Sequence, residues 1–170
     1  YLALNAITGT VASPSLSNTY ALPEATGAGW SGTAATTNSA PQLGGNPVNA
    51  GDDRLHTTIF RNGKLWISHH VFLPAGAPTR AAAQWWSVTA STGAVLQRGR
   101  VDSGTSTTWF TYPTLAVNSA EDMLIGYSRF STTQYPSANY SFRYGTDTIN
   151  TTQGDTVMKA GEANYAKYDS

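Results

Sequence analysis

The residues of this sequence that could do chemistry are its three histidines and one short charged run. His69 and His70 stand side by side at the end of the segment FRNGKLWISHHV, and His56 closely follows the run DDR at residues 52–54. Adjacent imidazoles suggest a metal site, because histidine is a common metal ligand. On a strand, however, neighbouring side chains point to opposite faces, so His69 and His70 cannot easily bind one ion. We predict that both belong to the scaffold.

The charged run and His56 form a second candidate. If they begin the first strand of a sheet, a carboxylate, a guanidinium and an imidazole converge at one end of that sheet. Two adjacent aspartates are hard oxygen donors that suit Ca²⁺, although a calcium site normally uses a longer spaced series of ligands. The alternative is a capping salt bridge beside a hydrogen-bonded histidine. The predicted ligand-binding residues are Asp52, Asp53, Arg54, His56 and Tyr112, with Ca²⁺ as the only cofactor considered and no metal ligand assigned.

Groups for catalysis are not arranged in a familiar way. Glycoside hydrolysis needs two carboxyl groups at a defined separation. The three glutamates, Glu24, Glu121 and Glu162, fall on a predicted loop, a hairpin turn and an outer strand. The sequence has no phosphate-binding glycine loop, nucleophile elbow or zinc motif. It has no cysteine, which excludes disulfides and thiolate metal sites. We predict no catalytic residue.

The composition argues against two classes of partner. Only 12% of the 170 residues are charged, and the formal net charge is zero. A neutral chain has no broad attraction for nucleic acid or an anionic membrane. No segment approaches the roughly 18 consecutive apolar residues of a membrane-spanning helix. Few charges with abundant Thr, Ser and Asn suit an exported protein, so we expect an extracellular or periplasmic location.

The sequence repeats itself in three places. LNAITGTV (4–11) matches VTASTGAV (88–95), and LHTTIFRNGKLWISHH (55–70) matches YPTLAVNSAEDMLIGYS (112–128). A third match aligns LQRGRV (96–101) with MKAGEA (158–163). The first two have alternating segments around a turn, which is typical of β-hairpins, and Asn62-Gly63 is the strongest hairpin signal. We predict strand pairs that meet at residues 61–64 and 118–122.

These matches define a unit of four short antiparallel strands. The predicted strands lie near 55–60, 65–72, 82–89 and 94–101, and again near 112–117, 122–130, 138–144 and 156–163. Four-stranded units in series are typical of β-propeller blades, and closure needs about four to eight of them. We predict an all-β protein with about two and a half blades: the last strands of a preceding blade (1–20), a long loop (21–50), a blade (51–108) and a blade (109–170).

Because two and a half blades do not close, we expect the chain, which begins without an initiator methionine, to be part of a longer protein. A multichain ring or an open β-array is the alternative. The partners would be other blades of the parent chain or other subunits.

The repeat also predicts the role of His69. It aligns with Tyr127, and a position that accepts either residue suits a ring with an apolar body and a polar tip. The tryptophans near the predicted strands are expected to be packing residues, because Trp buries a large area.

The second blade contains YPTLAVNSAEDMLIGYSRFSTTQYPSANYSFR and KAGEANY, and the residues before it include APQLGG, DDRL and NGKLWISHHV. These segments resemble blades of large secreted bacterial β-propeller proteins, which are distant relatives of the sialidase-like propellers. Sialidase-type blades often contain an Asp-box, Ser-x-Asp-x-Gly-x-Thr-Trp, between their third and fourth strands. The equivalent turn, residues 89–96, keeps Gly93 but lacks the aspartate and the tryptophan.

Two functions follow from these observations. The first is a non-catalytic extracellular propeller module that binds a ligand, glycans included, or a partner, or that builds an extracellular assembly. The alternative is a fragment of a glycosidase-like propeller, whose further catalytic groups would come from other blades.

Overall fold

The computed structural model describes residues 2–22, 29–36 and 38–167, without the side chains of residues 17–22 and 38. This part of the chain contains twelve β-strands, and no helix occurs in it. No helix long and apolar enough to cross a membrane is therefore found among these residues. The strands are β1 Leu2–Thr10, β2 Ser13–Leu22, β3 Asn38–Ala40, β4 Val48–Asn49, β5 Thr57–Arg61, β6 Lys64–Leu73, β7 Arg80–Thr89, β8 Val95–Val101, β9 Thr108–Val117, β10 Met123–Ser131, β11 Gln134–Arg143 and β12 Thr156–Lys159. The all-β prediction is confirmed.

Strands β5 to β8 form an antiparallel sheet in chain order, here called sheet 1. Its first hairpin closes at Arg61 and Lys64, which are paired across the turn. Asn62 and Gly63 between them have positive φ values of 52° and 72°. Both central residues of a type I′ turn need such values, and the Asn-Gly pair supplies them at little cost. The predicted hairpin at 61–64 is confirmed.

Strands β9 to β12 form a second antiparallel sheet, sheet 2, in the same order. The turn between β9 and β10 is closed by the Asn118 N–H, which donates to the Asp122 carbonyl at 3.1 Å. The Asn118 side chain accepts from the backbone N–H groups of Ala120 and Asp122, so it fixes the turn from within. The predicted hairpin at 118–122 is confirmed.

The two sheets stack face to face. Trp66, Ala83 and Trp85 of sheet 1 share a buried cluster with side chains of β9 and β10. Those side chains are Phe110, Leu115, Val117, Met123, Ile125 and Tyr127. Two tryptophans with no exposed surface supply much of this contact, and the area that each buries is worth several kcal/mol. The predicted packing role of Trp66 and Trp85 is confirmed.

The other face of sheet 1 is buried as well. Ile67, Trp86 and Val88 pack there with Leu2 of β1 and with Trp30. Because both faces are covered, β7 is buried at each residue from Ala81 to Val88. Sheet 1 is thus the central layer of the described structure.

Hydrogen bonds join the first hairpin of sheet 1 to the first hairpin of sheet 2. Lys64 Nζ donates to both carboxylate oxygens of Glu121 at 2.6 Å, and Asn62 Nδ2 donates to the Ser119 carbonyl at 3.0 Å. These bonds set the register of one sheet against the other at this end.

The segment predicted as a long loop, 21–50, is only partly irregular. It includes the end of β2 and the paired strands β3 and β4, and Ser31 forms a bridge to Phe72; residues 23–28 and 37 lie outside the described residues. Ala40 and Ala50 have no exposed surface and pack in one cluster with Phe72 and Trp109. The loop prediction missed these strands because alanine gives no visible apolar signal in a Gly- and Thr-rich stretch.

The N-terminal repeat also folds differently from its match. In residues 88–95, Gly93 lies in the turn between β7 and β8, but Gly9 lies inside β1, opposite Pro14. The turn of this hairpin is at Val11 and Ala12 instead. The hairpin β1–β2 forms a separate two-stranded sheet, and the described sheets do not form a closed propeller.

Candidate ligand-binding site

The predicted site lies where the segment from β4 to β5 passes the middle of β9. Asp52 and Arg54 form a two-pronged salt bridge there, with Nε to Oδ1 at 2.7 Å and Nη2 to Oδ2 at 2.6 Å. The Arg54 side chain is 79% exposed. Its guanidinium and backbone hydrogen bonds lower the pKa of Asp52 from 3.8 to about 2, so Asp52 stays ionised at any ordinary pH. The pair presents one fixed guanidinium to solvent.

The Asp53 side chain points away from Asp52 and Arg54, toward Trp30. Its Oδ2 accepts from the indole N–H of Trp30 at 2.8 Å, and its backbone N–H donates to the Gly32 carbonyl. Its own carbonyl lies 3.0 Å from Nδ1 of His69. Asp53 therefore joins the segment around Trp30 to the face of sheet 1 that carries His69, rather than joining Asp52 in a common ligand set.

An aromatic and imidazole cluster stands beside the salt bridge. The ring centroid of His56 lies 5.1 Å from that of His70 and 5.7 Å from that of Tyr112. The rings of His70 and Tyr112 are 5.5 Å apart. His56 and Tyr112 are exposed, whereas His70 is fully buried. The cluster thus has a buried base and an open rim.

The backbone around Tyr112 holds this geometry. Tyr112 has a positive φ of 52° at an irregularity in the pairing of β9 with β10. Such a bulge redirects a side chain. The Tyr112 hydroxyl donates to the Asn49 carbonyl at 2.7 Å, and its N–H donates to His70 Nδ1 at 3.3 Å. The phenol ring is consequently fixed across the gap between β4 and β9.

The titration of these groups follows from burial. Burial lowers the pKa of His70 from 6.5 to about 3, and repulsion from His56 and His69 adds to the effect. Burial also lowers the pKa of His56, against the attraction of Asp52, and raises the pKa of Tyr112. At neutral pH the cluster is uncharged, and the full charges next to it belong to Asp52 and Arg54.

His69 lies on the opposite face from His70, as predicted. Its Nε2 accepts from the Trp86 indole at 2.9 Å and faces the Gln84 amide at 3.1 Å. Because Nε2 is the acceptor, Nδ1 carries the proton and donates to the Asp53 carbonyl. With an exposed fraction of 1%, this ring is a hydrogen-bonded part of the core.

The structure therefore brings together four of the five predicted residues, Asp52, Arg54, His56 and Tyr112, and separates Asp53 from them. The prediction did not include His70, whose ring forms the base of the site, or Asn49, which holds Tyr112. His70 lies on the face of β6 that carries Trp66 and Ser68, and strand alternation indicated this. The contact with His56 was hidden because β5 begins only at Thr57.

The carboxylates of this site are already occupied. Both oxygens of Asp52 accept hydrogen bonds from Arg54, and one oxygen of Asp53 accepts from Trp30. Within the described ranges, no group of three or more His, Cys, Asp or Glu side chains could hold a metal ion. What the arrangement offers is a guanidinium, an imidazole and a phenol ring at one exposed edge. Comparisons with protein-family models, curated proteins and solved structures gave no match.

Proposed function

We propose that this chain is part of a β-propeller, a non-catalytic extracellular module that binds a ligand or partner at the edge formed by Arg54, His56 and Tyr112. Two stacked four-stranded sheets of identical strand order support the blade architecture. A composition with few charges supports the extracellular location.

The observation that carries the binding proposal is the exposed guanidinium of Arg54. Asp52 fixes its direction through two hydrogen bonds, yet its side chain remains 79% exposed. Tyr112, whose ring contacts His56, is 40% exposed. A donor-rich cation and an aromatic ring on either side of an imidazole suit a hydroxyl-rich ligand, because the ring can stack on a sugar face while the guanidinium and imidazole bind its oxygens. Glycans are the ligand class we propose.

The binding proposal is tested with a panel of neutral and acidic oligosaccharides, followed by saturation-transfer NMR. We expect binding by the unmodified chain and at least a tenfold loss of affinity in Arg54→Ala and in His56→Ala. Arg61→Ala is the matched control, since Arg61 is also exposed but lies at the other end of β5. Equal losses in all three variants, or none in the first two, would contradict the proposed site.

The same panel separates binding from catalysis. Release of sugar from an oligosaccharide or an aryl glycoside that disappears in Arg54→Ala would favour a glycosidase-like propeller instead. The melting temperature is also measured with increasing Ca²⁺. A rise that is lost when Asp52 is replaced would show that the site binds Ca²⁺.

The architecture is tested separately. The mass of the intact native polypeptide and electron microscopy of the particle should reveal a closed ring of four-stranded sheets. A particle that holds only two stacked sheets would contradict the propeller.

A further inference from the structure

The two faces of sheet 2 are covered to very different degrees. On β11, buried residues alternate with half-buried or exposed ones, whereas the corresponding strand of sheet 1, β7, is buried on both faces. The open face of sheet 2 carries the cross-strand row Ala116, Leu124 and Phe142, in which Leu124 is 42% exposed. A groove of about 590 Å³ lies at the hairpin end of this row, and its lining also includes Met123 and Arg143 of the covered face and Arg61 of sheet 1. Its surface is mostly apolar.

This row has a counterpart in sheet 1. If the two hairpin turns are aligned, Ala116, Leu124 and Phe142 correspond to the row Ile59, Trp66 and Ser87. The next row repeats the agreement. Thr114, Gly126 and Tyr140 correspond to Thr57, Ser68 and Trp85. Each of these rows contains a large aromatic side chain in both sheets. In the second row it is on the third strand of each sheet, as Trp85 and Tyr140. In the first row it is Trp66 on the second strand of sheet 1 but Phe142 on the third strand of sheet 2.

The counterpart rows of sheet 1 are those that sheet 2 covers. Trp66 and Trp85 have no exposed surface, and they pack against Leu115, Ile125 and Tyr127 of sheet 2. The covering side chains come from the face of sheet 2 that is turned toward sheet 1. The interface is therefore directional, since one face of a sheet receives the opposite face of the next sheet.

We propose that the open face of sheet 2, around Ala116, Leu124, Tyr140 and Phe142, is a docking surface for a further four-stranded sheet of this same repeat. The occupant would present a row equivalent to Leu115, Ile125 and Tyr127. The support is continuity with the interface already present, because the same rows of the same fold are covered in this way one sheet earlier. An apolar face with an exposed leucine and half-buried aromatic rings is also what such an interface needs.

This inference rests on the proposed propeller architecture, and its experiment uses the intact native polypeptide. The chain has no cysteine, so Leu124→Cys places a single thiol on the open face. Ile149→Cys is the control, because Ile149 is 62% exposed, lies between β11 and β12 outside the sheets, and does not line the groove. We expect the thiol of the Leu124→Cys variant to react with a maleimide at least tenfold more slowly than that of the control in the native particle. In the 170-residue chain alone the two thiols should react at similar rates.

A photo-crosslinking residue, p-benzoylphenylalanine, at position 124 then identifies the occupant. The crosslinked peptide should align with residues 108–131. Equal labelling of the two thiols in the native particle, or a crosslink to a segment of another pattern, would overturn the docking surface. A ring seen by microscopy with a freely reactive thiol at position 124 would leave the propeller standing without this docking surface. A protected, correctly crosslinked position 124 without a ring would leave the docking surface standing without the propeller.

Discussion

At the scale of single residues, His69 is held by both of its nitrogens. Nδ1 donates to the Asp53 carbonyl, while Nε2 accepts from Trp86 and faces Gln84. Tyr127, its counterpart by the repeat, is buried in the same manner, and its hydroxyl contacts Ser141 and Asp155. The position accepts a flat ring whose polar tip finds a partner inside.

Substitutions of His69 should rank accordingly. His69→Ala should cost about 2–4 kcal/mol, because it leaves a cavity and removes the acceptor of the Trp86 N–H. His69→Tyr should cost less, since a ring still fills the position. His56→Ala should cost under about 1 kcal/mol, as its ring is exposed. Urea denaturation measures all three. A melting temperature that falls with chelator, but not in His69→Tyr, would show that His69 binds a metal and that the core interpretation is wrong.

The buried histidines also predict a pH dependence. The pKa of His69 is lowered by burial from 6.5 to about 4, and that of His70 to about 3. Between pH 6.5 and 4 the unfolded chain therefore binds protons that the folded chain does not. The free energy of unfolding should fall with decreasing pH, by up to about 1.4 kcal/mol per pH unit for each histidine.

The carboxylate of Asp52 does not interfere with this test. Its lowered pKa of about 2 makes its stabilising effect disappear only between pH 3.8 and 2. Denaturation between pH 7 and 4.5 isolates the histidines. His69→Tyr should reduce the slope, and His70 and His56, whose pKa values are also lowered by burial, account for the rest. A flat profile in the unmodified chain would contradict the neutral buried state.

At the scale of elements, sheet 1 depends on a close contact between β7 and β8. Gly99 is paired with Trp85, and a Cβ atom at position 99 would lie 2.4 Å from the indole ring. No real Cβ contact is so short, and Trp85 is enclosed by sheet 2. The glycine is therefore required by the neighbouring ring, and its backbone conformation is ordinary.

Gly99→Ala should destabilise the protein by at least about 1–3 kcal/mol, because the ring of Trp85 must move in a packed core. Gly154→Ala is the matched control. A Cβ atom there meets nothing within 4 Å, so the change should stay within about 0.5 kcal/mol. Guanidinium denaturation compares the two. Equal effects would show that Trp85 can shift freely.

At the scale of the whole molecule, the layers differ in how firmly they are held. Sheet 1 is covered on both faces, sheet 2 on one, and the hairpin β1–β2 is exposed from Asn5 to Leu16. Ile7, Val11 and Leu16 on this hairpin are 70% exposed or more. A two-stranded hairpin without an apolar face in contact is marginal in water.

Hydrogen exchange should follow this order. Amides of β6 and β7 should exchange slowest, near the rate set by global unfolding, and those of residues 5–16 should exchange fastest. Mass spectrometry of peptides from a deuterium pulse measures the ranking. Protection of residues 5–16 equal to that of β7 would mean that the hairpin has a partner in solution.

The hairpins and their order could be predicted from neighbouring residues alone. Alternating apolar residues, the Asn62-Gly63 turn and the Asn118–Asp122 turn specify them locally, because strand periodicity and turn conformation depend on neighbours in the chain. The same periodicity placed His69 and His70 on opposite faces. The sequence match between residues 4–11 and 88–95 predicted the wrong turn in the N-terminal hairpin. Gly9 and Gly93 are aligned, but only Gly93 lies in a turn.

Which side chains meet became apparent only in the folded chain. The rings of His70, His56 and Tyr112 form one cluster, and the Asp53 carboxylate accepts a hydrogen bond from Trp30 instead of lying with Asp52. These contacts join residues that are 14 to 56 positions apart in the sequence. Contacts between distant segments depend on the stacking of sheets, and stacking depends on the summed shape of many side chains. The role of Gly99 likewise emerges only when the ring of Trp85 lies across it.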